Sequence, residues 1–207
     1  MKRNLYTIFY AFVLGVVCAL VPTIVGEFTA PYREANARAE EVRNIMHVLD
    51  IPIKQGITSR QLVDQFESTV KLRKKGNLQM YISYDTVDTS KVHAIAVQFS
   101  GSGVWGLIKG FIALDTDMVT IRRISFYQNE ETPGLGGEIG TEWFQNEFIG
   151  KKIRDDSGKP GIRIKRSGAR GPNEIDGISG ATLTCGKVQS VLSSIIEVID
   201  KEVGFGK

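Results

Sequence analysis

The apolar run near the start of the chain is the feature that most restricts the possible fold. Met1-Lys2-Arg3-Asn4 carries two positive charges, and the stretch from Leu5 to Gly26 that follows contains no charged residue. A helix of about 22 residues, rising about 1.5 Å per residue, matches the hydrocarbon thickness of a bilayer. The sequence therefore predicts a short cytoplasmic tail at 1–4 and a transmembrane helix at 5–26.

A cleaved signal peptide begins in the same way and is the main alternative. Three features favour a retained anchor: the run is too long for the apolar part of a signal peptide, Pro22 lies inside it, and no small-x-small cleavage site follows. Positive charge keeps the start of the chain in the cytoplasm. We therefore expect a single-pass protein of the bacterial inner membrane, surrounded by lipid, with a periplasmic or extracellular C-terminal domain.

The composition excludes several functional classes. The chain has 207 residues, of which 42% are hydrophobic and 24% charged, as in a folded protein. A net charge of +3 is too small to indicate a nucleic-acid partner. Cys18 lies in the apolar run and Cys185 far along the chain, so we expect no disulfide. With His47 and His93 as the two histidines, we expect no metal site.

The segment 27–76 is predicted to be a helical connection. Apolar residues recur at helical spacing from Pro31 to Leu49. Thr58 and Gln61, three residues apart, form a capping-box pattern that predicts a second short helix through Val70.

From residue 77 the pattern changes to alternation with period two, which is typical of half-buried β-strands. Strands that are segregated from a few helices predict an α+β fold, an antiparallel sheet with flanking helices, over 77–205. The predicted elements are the strands Leu78–Tyr84, Val92–Phe99, Phe111–Leu114 and Val119–Phe126, a glycine-rich loop Glu131–Gly140, a helix Thr141–Phe148, a possible strand Gly161–Ile164 and a final helix Gly186–Glu202.

Two glycine patterns resemble nucleotide-binding loops but lack their context. The spacing G-x-G-x-x-G at 101–106 is followed by a β-like pattern, whereas a dinucleotide site needs a helix there. We expect a tight loop, with Trp105 either buried or lining a ligand pocket. The stretch 180–187 has glycine spacing one residue too long for a phosphate loop, and Val188 stands where a magnesium-binding hydroxyl belongs.

Small residues are concentrated in the segment from Asp176 to Thr184, just before the predicted final helix. They allow a ligand to approach the backbone and leave the Thr182 hydroxyl accessible. A phosphate on Thr182 would lie near the positive end of that helix. Thr184 is a candidate cap. From the residues alone, an anion-binding helix start and an ordinary cap after a flexible loop both remain open.

Two of these segments resemble the signature motifs of a known family. Asp176-Gly-Ile-Ser-Gly-Ala-Thr182 resembles the flavinylation motif of the FMN-binding domain family, in which this threonine carries the flavin phosphate. Glu131-Thr-Pro-Gly-Leu-Gly136 resembles the family's second signature loop, which borders the isoalloxazine. With Gly137-Glu138, Trp105-Gly106 and Phe111–Leu114, the chain looks more like the C subunit of the sodium-translocating NADH:quinone reductases than the G subunit of the related Rnf complex.

The resemblance implies one covalent FMN per chain, attached through a phosphoester to Thr182 by a separate flavin transferase that uses FAD and magnesium. Asp176 would serve recognition by that transferase. No residue would be catalytic in the chain itself. The implied cofactor-binding residues are Thr182, Asp176, Ser179, Gly180, Ala181, Leu183, Thr184, Glu131, Thr132, Gly134, Leu135, Gly136 and Trp105.

The same resemblance implies a function in electron transfer. The chain would relay electrons, with other integral membrane subunits, in a respiratory NADH:quinone reductase coupled to sodium translocation. One alternative is the equivalent protein of an Rnf-type ferredoxin:NAD oxidoreductase or of another extracytoplasmic chain. A second is an anchored binding or sensing domain without redox function. Lys165, Arg166 and Arg170 are candidates to neutralise the phosphate, and Trp105 is expected either to stack on the flavin or to pack in the core.

Overall fold

The computed structural model describes residues 2–76, 78–85 and 91–203, with side chains from Leu5 onward. The expected domain start at Asn77, its end at position 205 and the charged side chains of Lys2 and Arg3 lie outside the described residues. In chain order the elements are α1 (Lys2–Val48), α2 (Ser59–Thr69), β1 (Val70–Lys75), β2 (Leu78–Tyr84), β3 (Val92–Ser102), β4 (Leu107–Leu114), β5 (Ile121–Gln128), a 3₁₀ turn (Gly136–Gly140), α3 (Glu142–Asn146), β6 (Arg163–Lys165), β7 (Glu174–Asp176) and α4 (Thr182–Val203).

The chain divides into two compact units, residues 1–40 and 41–207. The first unit consists of helix, and α1 is long and apolar enough to cross a membrane by its length and composition. The large apolar side chains of α1 from Leu5 to Phe28 are exposed, as expected of a helix whose surroundings are lipid. The helix predicted from Pro31 to Leu49, continuing outward from the apolar run, is present as the last part of α1, which runs through both Pro22 and Pro31. A proline removes one helical hydrogen bond, which the neighbouring turns tolerate here.

The second unit is built on a five-stranded antiparallel sheet in the order β1-β2-β3-β4-β5. Val97 of β3 lies opposite Met80 and Ile112, and Ile112 lies opposite Ile124, so these side chains share one face. The apolar side of α4 packs on that face. The buried residues of α4 that contribute are Val188, Leu192, Ile196 and Ile199.

The opposite face of the sheet carries a line of aromatic rings. Phe66 of α2 lies 6.1 Å from Tyr81, Tyr81 lies 5.9 Å from Phe111, and Phe111 stacks on Tyr127 at 5.2 Å between ring centroids. The Ser125 hydroxyl on this face donates to Asn44 Oδ1 at 2.8 Å, which joins the sheet to the C-terminal turns of α1. Both faces are therefore covered, and the α+β prediction is confirmed.

The first strand corrects the expectation that 27–76 is helical to its end. Residues 70–75 form the edge strand β1, paired with β2 from Val70 opposite Ser83 to Lys75 opposite Leu78. Within β1 only Val70 is buried. The side chains of this edge strand are mostly charged and do not alternate between apolar and polar, so the sequence contains no period-two signal. The strand is held in the sheet by its backbone hydrogen bonds.

The remaining differences concern the ends of elements. β4 begins at Leu107, four residues before the predicted start, so the G-x-G-x-x-G pattern lies at a β-hairpin turn where Gly103 N–H donates to Gly106 O at 2.7 Å. This confirms the expected tight loop. The last predicted strand is present as β6, and it pairs in parallel with β7, which was not predicted. β7 has three residues and lies partly inside the motif, so no periodicity could develop.

Glu174 joins β7 to β6 electrostatically. Its buried carboxylate accepts hydrogen bonds from Lys165 Nζ at 2.8 Å, Gly171 N–H at 2.9 Å and Arg170 N–H at 3.2 Å. The hydrogen bond from Lys165, with the two backbone donors, lowers the pKa of Glu174 from 4.5 to about 2. The pair holds the start of the motif segment against β6.

We predict that Glu174 stabilises the fold in a pH-dependent way. Because its pKa is lower in the folded chain, its contribution is complete above its ordinary pKa of 4.5 and is lost as the pH falls towards about 2. The free-energy difference between wild type and Glu174→Gln, measured by urea unfolding in detergent at stepped pH, should shrink across that interval. A difference that stays constant with pH would contradict this assignment, and Glu197→Gln is a control for substitution of another acidic residue.

Candidate functional site

Thr182 is the first residue of α4, four residues earlier than the predicted helix start. Its side chain is exposed, whereas Ala181 before it is buried. The sequence predicts a helix start at Gly186, but Gly186 lies inside α4 on its exposed side, with open space around it. The apolar spacing of the helix begins with Ala181 and Cys185, which explains why the helix forms from residue 182.

The first turn of α4 has backbone donors available. Within the described residues no acceptor bonds the N–H groups of Thr182, Leu183 and Thr184, and the first such bond is Cys185 N–H to Ala181 O at 2.9 Å. The preceding residue, Ala181, has no side-chain oxygen to cap the helix. These donors and the positive end of the helix therefore lie beside the Thr182 hydroxyl and favour an anion there.

Thr184 is not the cap that the sequence suggested. It lies inside the first turn of α4, is buried, and donates its hydroxyl hydrogen to Glu131 Oε2 at 2.6 Å. Its position two residues into the helix prevents the extended backbone that a capping residue adopts. Thr184 therefore connects the motif to the second signature loop.

Glu131 is the residue around which the site is arranged. It is only 6% exposed, and both carboxylate oxygens are used. Oε1 accepts from Val104 N–H at 2.7 Å and from Trp105 N–H at 3.3 Å, while Oε2 accepts from Thr184. The carboxylate thus joins the β3–β4 turn to the first turn of α4. Because protein groups bind both carboxylate oxygens, Glu131 is a positioning residue for the segments around it.

Glycines allow the segments around Glu131 to approach this closely. A Cβ on Gly136 would collide with the Thr184 hydroxyl and lie 2.9 Å from Glu131 Oε2, and a Cβ on Gly103 would collide with Glu131 Oε1. Gly180, with φ of +79°, would place a Cβ 3.0 Å from Leu135 Cδ2. The two signature loops therefore contact each other. The sequence did not identify Gly103 and Val104 as part of the site, although the glycine-rich stretch 101–106 around Trp105 marked the position of this turn.

Three large apolar side chains around this junction are exposed. Trp105 is 73% exposed, Leu183 75% and Leu135 44%. The alternative that Trp105 packs in the core is therefore wrong. Exposed apolar side chains beside an anion-binding helix start fit a ligand that has both an aromatic ring system and a phosphate, which is the chemistry of FMN.

The other predicted residues divide into exposed and structural ones. Thr132, Gly134, Ser179 and Gly180 are exposed around the junction. Asp176 is half-buried and accepts from Ala169 N–H at 2.8 Å, so it holds the turn before β7. Cys185 is buried as a free thiol, and its sulfur accepts from Ile178 N–H at 3.3 Å. This contact closes the motif segment onto α4 and was not predicted.

The three candidate phosphate-neutralising cations are differently placed. Lys165 is paired with Glu174 at 2.8 Å. Arg166 and Arg170 have exposed side chains that form no ion pair within the part of the chain that the structure describes. No described contact joins any of the three to Thr182, so their assignment to the phosphate stays a prediction.

We predict that Glu131→Ala destabilises the second unit by about 1–3 kcal/mol, because it leaves buried N–H and hydroxyl groups without an acceptor. Glu131→Gln keeps one oxygen acceptor for the β3–β4 turn and should lose less. The exposed neighbour Glu130 provides the matched control, and Glu130→Ala should change stability by less than about 0.5 kcal/mol. Equal unfolding midpoints for the two alanine variants in urea would contradict the positioning role.

Comparison with known proteins agrees with this geometry. The family model described as FMN-binding domain matches residues 103–197, which include both loops and Thr182. The C subunit of the Na(+)-translocating NADH-quinone reductase of Vibrio vulnificus is 32% identical over 187 residues, 89% of this chain and 68% of that protein. The corresponding C subunit from Yersinia pestis is 45% identical over 105 residues, 50% of this chain and 40% of that protein.

Solved structures support the same fold. NqrC of Shewanella oneidensis superposes with a TM-score of 0.66, at 23% identity, over 76% of this chain and 91% of that chain. The Na(+)-translocating NADH-quinone reductase C subunit from Parabacteroides distasonis superposes with a TM-score of 0.70, also at 23% identity, over 85% of this chain and 97% of that chain. The chain spans only 40% to 57% of the length of the first three curated relatives that it matches. By the Vibrio vulnificus relationship and the shared domain, the chain belongs to the family of FMN-binding C subunits of Na⁺-translocating NADH-quinone reductases.

Proposed function

We propose that this chain carries one FMN covalently, as a phosphoester on Thr182, and relays electrons within a membrane-bound, sodium-translocating NADH:quinone reductase. The observation that carries the proposal is the exposed Thr182 hydroxyl at the start of α4, beside backbone N–H groups that have no acceptor among the described residues. No other hydroxyl of the motif combines exposure with a place in that first turn, because Thr184 is buried and Ser179 precedes the helix.

The attachment would be made by a separate flavin transferase that uses FAD and magnesium. In this step the Thr182 oxygen forms a bond to the FMN phosphorus, the bond between the two phosphates of FAD breaks, and AMP leaves. The hydroxyl proton passes to solvent or to a base of the transferase. Thr182 is thus a substrate of another enzyme, and its exposure is the property that this reaction needs.

The chain's own residues would then hold the group in place. The first-turn N–H groups and the helix dipole stabilise the negative phosphate. Trp105 and Leu135 offer apolar surface to the ring system, at positions that Glu131 sets through the β3–β4 turn and Gly136. When bound, FMN supplies the electron-transfer chemistry, which the protein tunes through these contacts.

The partner complex is inferred from the relatives. Proteins named as C subunits of Na(+)-translocating NADH-quinone reductases match this chain, which supports other integral membrane subunits as its redox partners. We assign α1 as a membrane anchor, with the FMN-binding domain on the periplasmic side of the inner membrane. The predicted span 5–26 contains no carboxylate, so we do not expect this chain to conduct the ion itself.

We predict that the purified full chain, produced together with its flavin transferase, gives a fluorescent band at its mass of 22.9 kDa on a denaturing gel under ultraviolet light. Thr182→Ala should abolish the fluorescence because it removes the acceptor oxygen. Ser190→Ala is the matched control, since it removes an exposed hydroxyl two turns further along α4. A dark wild-type band, with transferase activity verified on a control substrate, would refute covalent attachment.

We predict that Trp105→Phe alters the absorbance and fluorescence of the bound flavin while changing stability by less than about 0.5 kcal/mol, because the indole is exposed. Trp143→Phe is the control for removal of an exposed indole. The Trp143 Nε1–H donates to Glu138 at 3.2 Å, and this variant should leave the flavin spectra unchanged. Identical flavin spectra in wild type and Trp105→Phe would remove Trp105 from the flavin environment.

A further inference from the structure

The edge strand β1 is rich in positive charge. Four of its six residues, Lys71, Arg73, Lys74 and Lys75, are basic and exposed. The segment 59–76, which adds α2, contains five basic residues against two acidic ones and therefore carries +3, equal to the formal net charge of the whole chain. The charges of the remaining residues sum to zero, although residues 151–170 form a second basic segment with eight basic and two acidic residues. The segment with β1 is therefore one of two strongly positive stretches of the chain.

These cations are not neutralised by their surroundings. Across 2–76, 78–85 and 91–203, no carboxylate forms an ion pair with Arg73, Lys74 or Lys75. Lys71 Nζ lies 4.9 Å from the ring centre of Tyr84. One acidic group, Glu202, lies close to the end of the strand, where its carboxylate contacts the position of a Cβ on Gly76. This carboxylate lies beside one end of the strand, which carries four basic residues.

The strand also presents an apolar side chain within this charge. Leu72 is 54% exposed although it lies between Lys71 and Arg73. The basic side chains leave the strand on both faces of the sheet, because Lys71, Arg73 and Lys75 alternate with Lys74. Because these side chains are long, the basic groups on both faces can reach the same flat surface if that surface lies against the edge of the sheet.

We propose that β1 docks the second unit on the anionic phospholipid headgroups of a bilayer. Basic residues near a membrane surface attract anionic lipid, and an exposed leucine among them can enter the interface. Because α1 is apolar enough to span a bilayer, the bilayer surface would be present near β1 at a high effective concentration. Addition of a strand from another protein is disfavoured, since lysines on an open edge oppose further pairing.

The docking surface lies far from the candidate flavin site. Glu202, near the end of α4, contacts Gly76 next to β1, whereas Thr182 begins the same helix. Twenty residues at about 1.5 Å each separate the two positions by about 30 Å. Docking through β1 would therefore leave the Thr182 end accessible to redox partners. The inference depends on the charge of β1 and not on the flavin, so it can fail or succeed independently of the proposed function.

The test uses the full chain in nanodiscs of phosphatidylcholine, mixed with vesicles of phosphatidylcholine alone or with about 30% phosphatidylglycerol, and measures co-flotation. We expect at least about tenfold more binding to the phosphatidylglycerol vesicles at about 50 mM salt, and loss of that excess at about 500 mM salt, as screening requires. The triple variant Arg73→Glu, Lys74→Glu, Lys75→Glu should bind both vesicles equally. The triple variant Lys152→Glu, Lys159→Glu, Arg163→Glu makes the same charge change at exposed positions elsewhere and should keep the preference.

Thermal unfolding of each variant verifies that it is folded. If the charge reversal does not fold, the neutral variant Arg73→Gln, Lys74→Gln, Lys75→Gln takes its place, with an expected loss of most of the excess binding. Equal wild-type binding to the two vesicle types would overturn the proposal and leave a protein partner for β1. Equal loss of binding in the β1 variant and in the matched control would also overturn it, because total charge would then explain the effect.

Discussion

The carboxylate of Glu131 joins segments of the second unit that are far apart in the chain. One oxygen binds the turn between β3 and β4 and the other binds the first turn of α4, 53 positions further along. A buried carboxylate needs partners for both oxygens, so these segments are held together by the requirement to satisfy it. The arrangement of Trp105, the second signature loop and Thr182 around one point depends on this interaction. The exposure of Thr182 is useful only because its surroundings are ordered.

The two ends of α4 have different roles. Its start presents Thr182 and backbone donors that have no acceptor among the described residues, while its end lies beside the turn that follows β1. Between them the helix is fixed to the sheet by a continuous apolar face. Under the two proposals, one end of this helix faces redox partners and the other faces anionic lipid, and the length of the helix keeps the two contacts apart. The architecture therefore suits a domain that stays near a bilayer while its cofactor meets other proteins.

The sequence predicted the parts of the fold that have strong local signals. The apolar run before Glu27, the capping box at Thr58 and the apolar stripe of α4 are patterns that local physics determines, and each corresponds to an element in the structure. β1 and β7 could not be predicted, because one is charged and the other has three residues, so both depend on pairing with distant strands. The motif located the candidate site by resemblance, but the bond between Thr184 and Glu131 could not be read from residues 53 positions apart. The predicted start of α4 lies four residues too late because Gly186 was interpreted as the helix boundary. The buried residues Cys185 and Val188 on either side of it belong to the same helix.

The central claim is that FMN is bonded to Thr182, and peptide mass spectrometry tests it most directly. The full chain, produced with its flavin transferase, would be denatured, digested and separated so that only covalent groups remain. We predict that the peptide containing Thr182 gains the mass of FMN less one water, and that fragmentation places this mass on Thr182. An unmodified Thr182 peptide, or the same mass on Ser179 or Thr184, would contradict the claim.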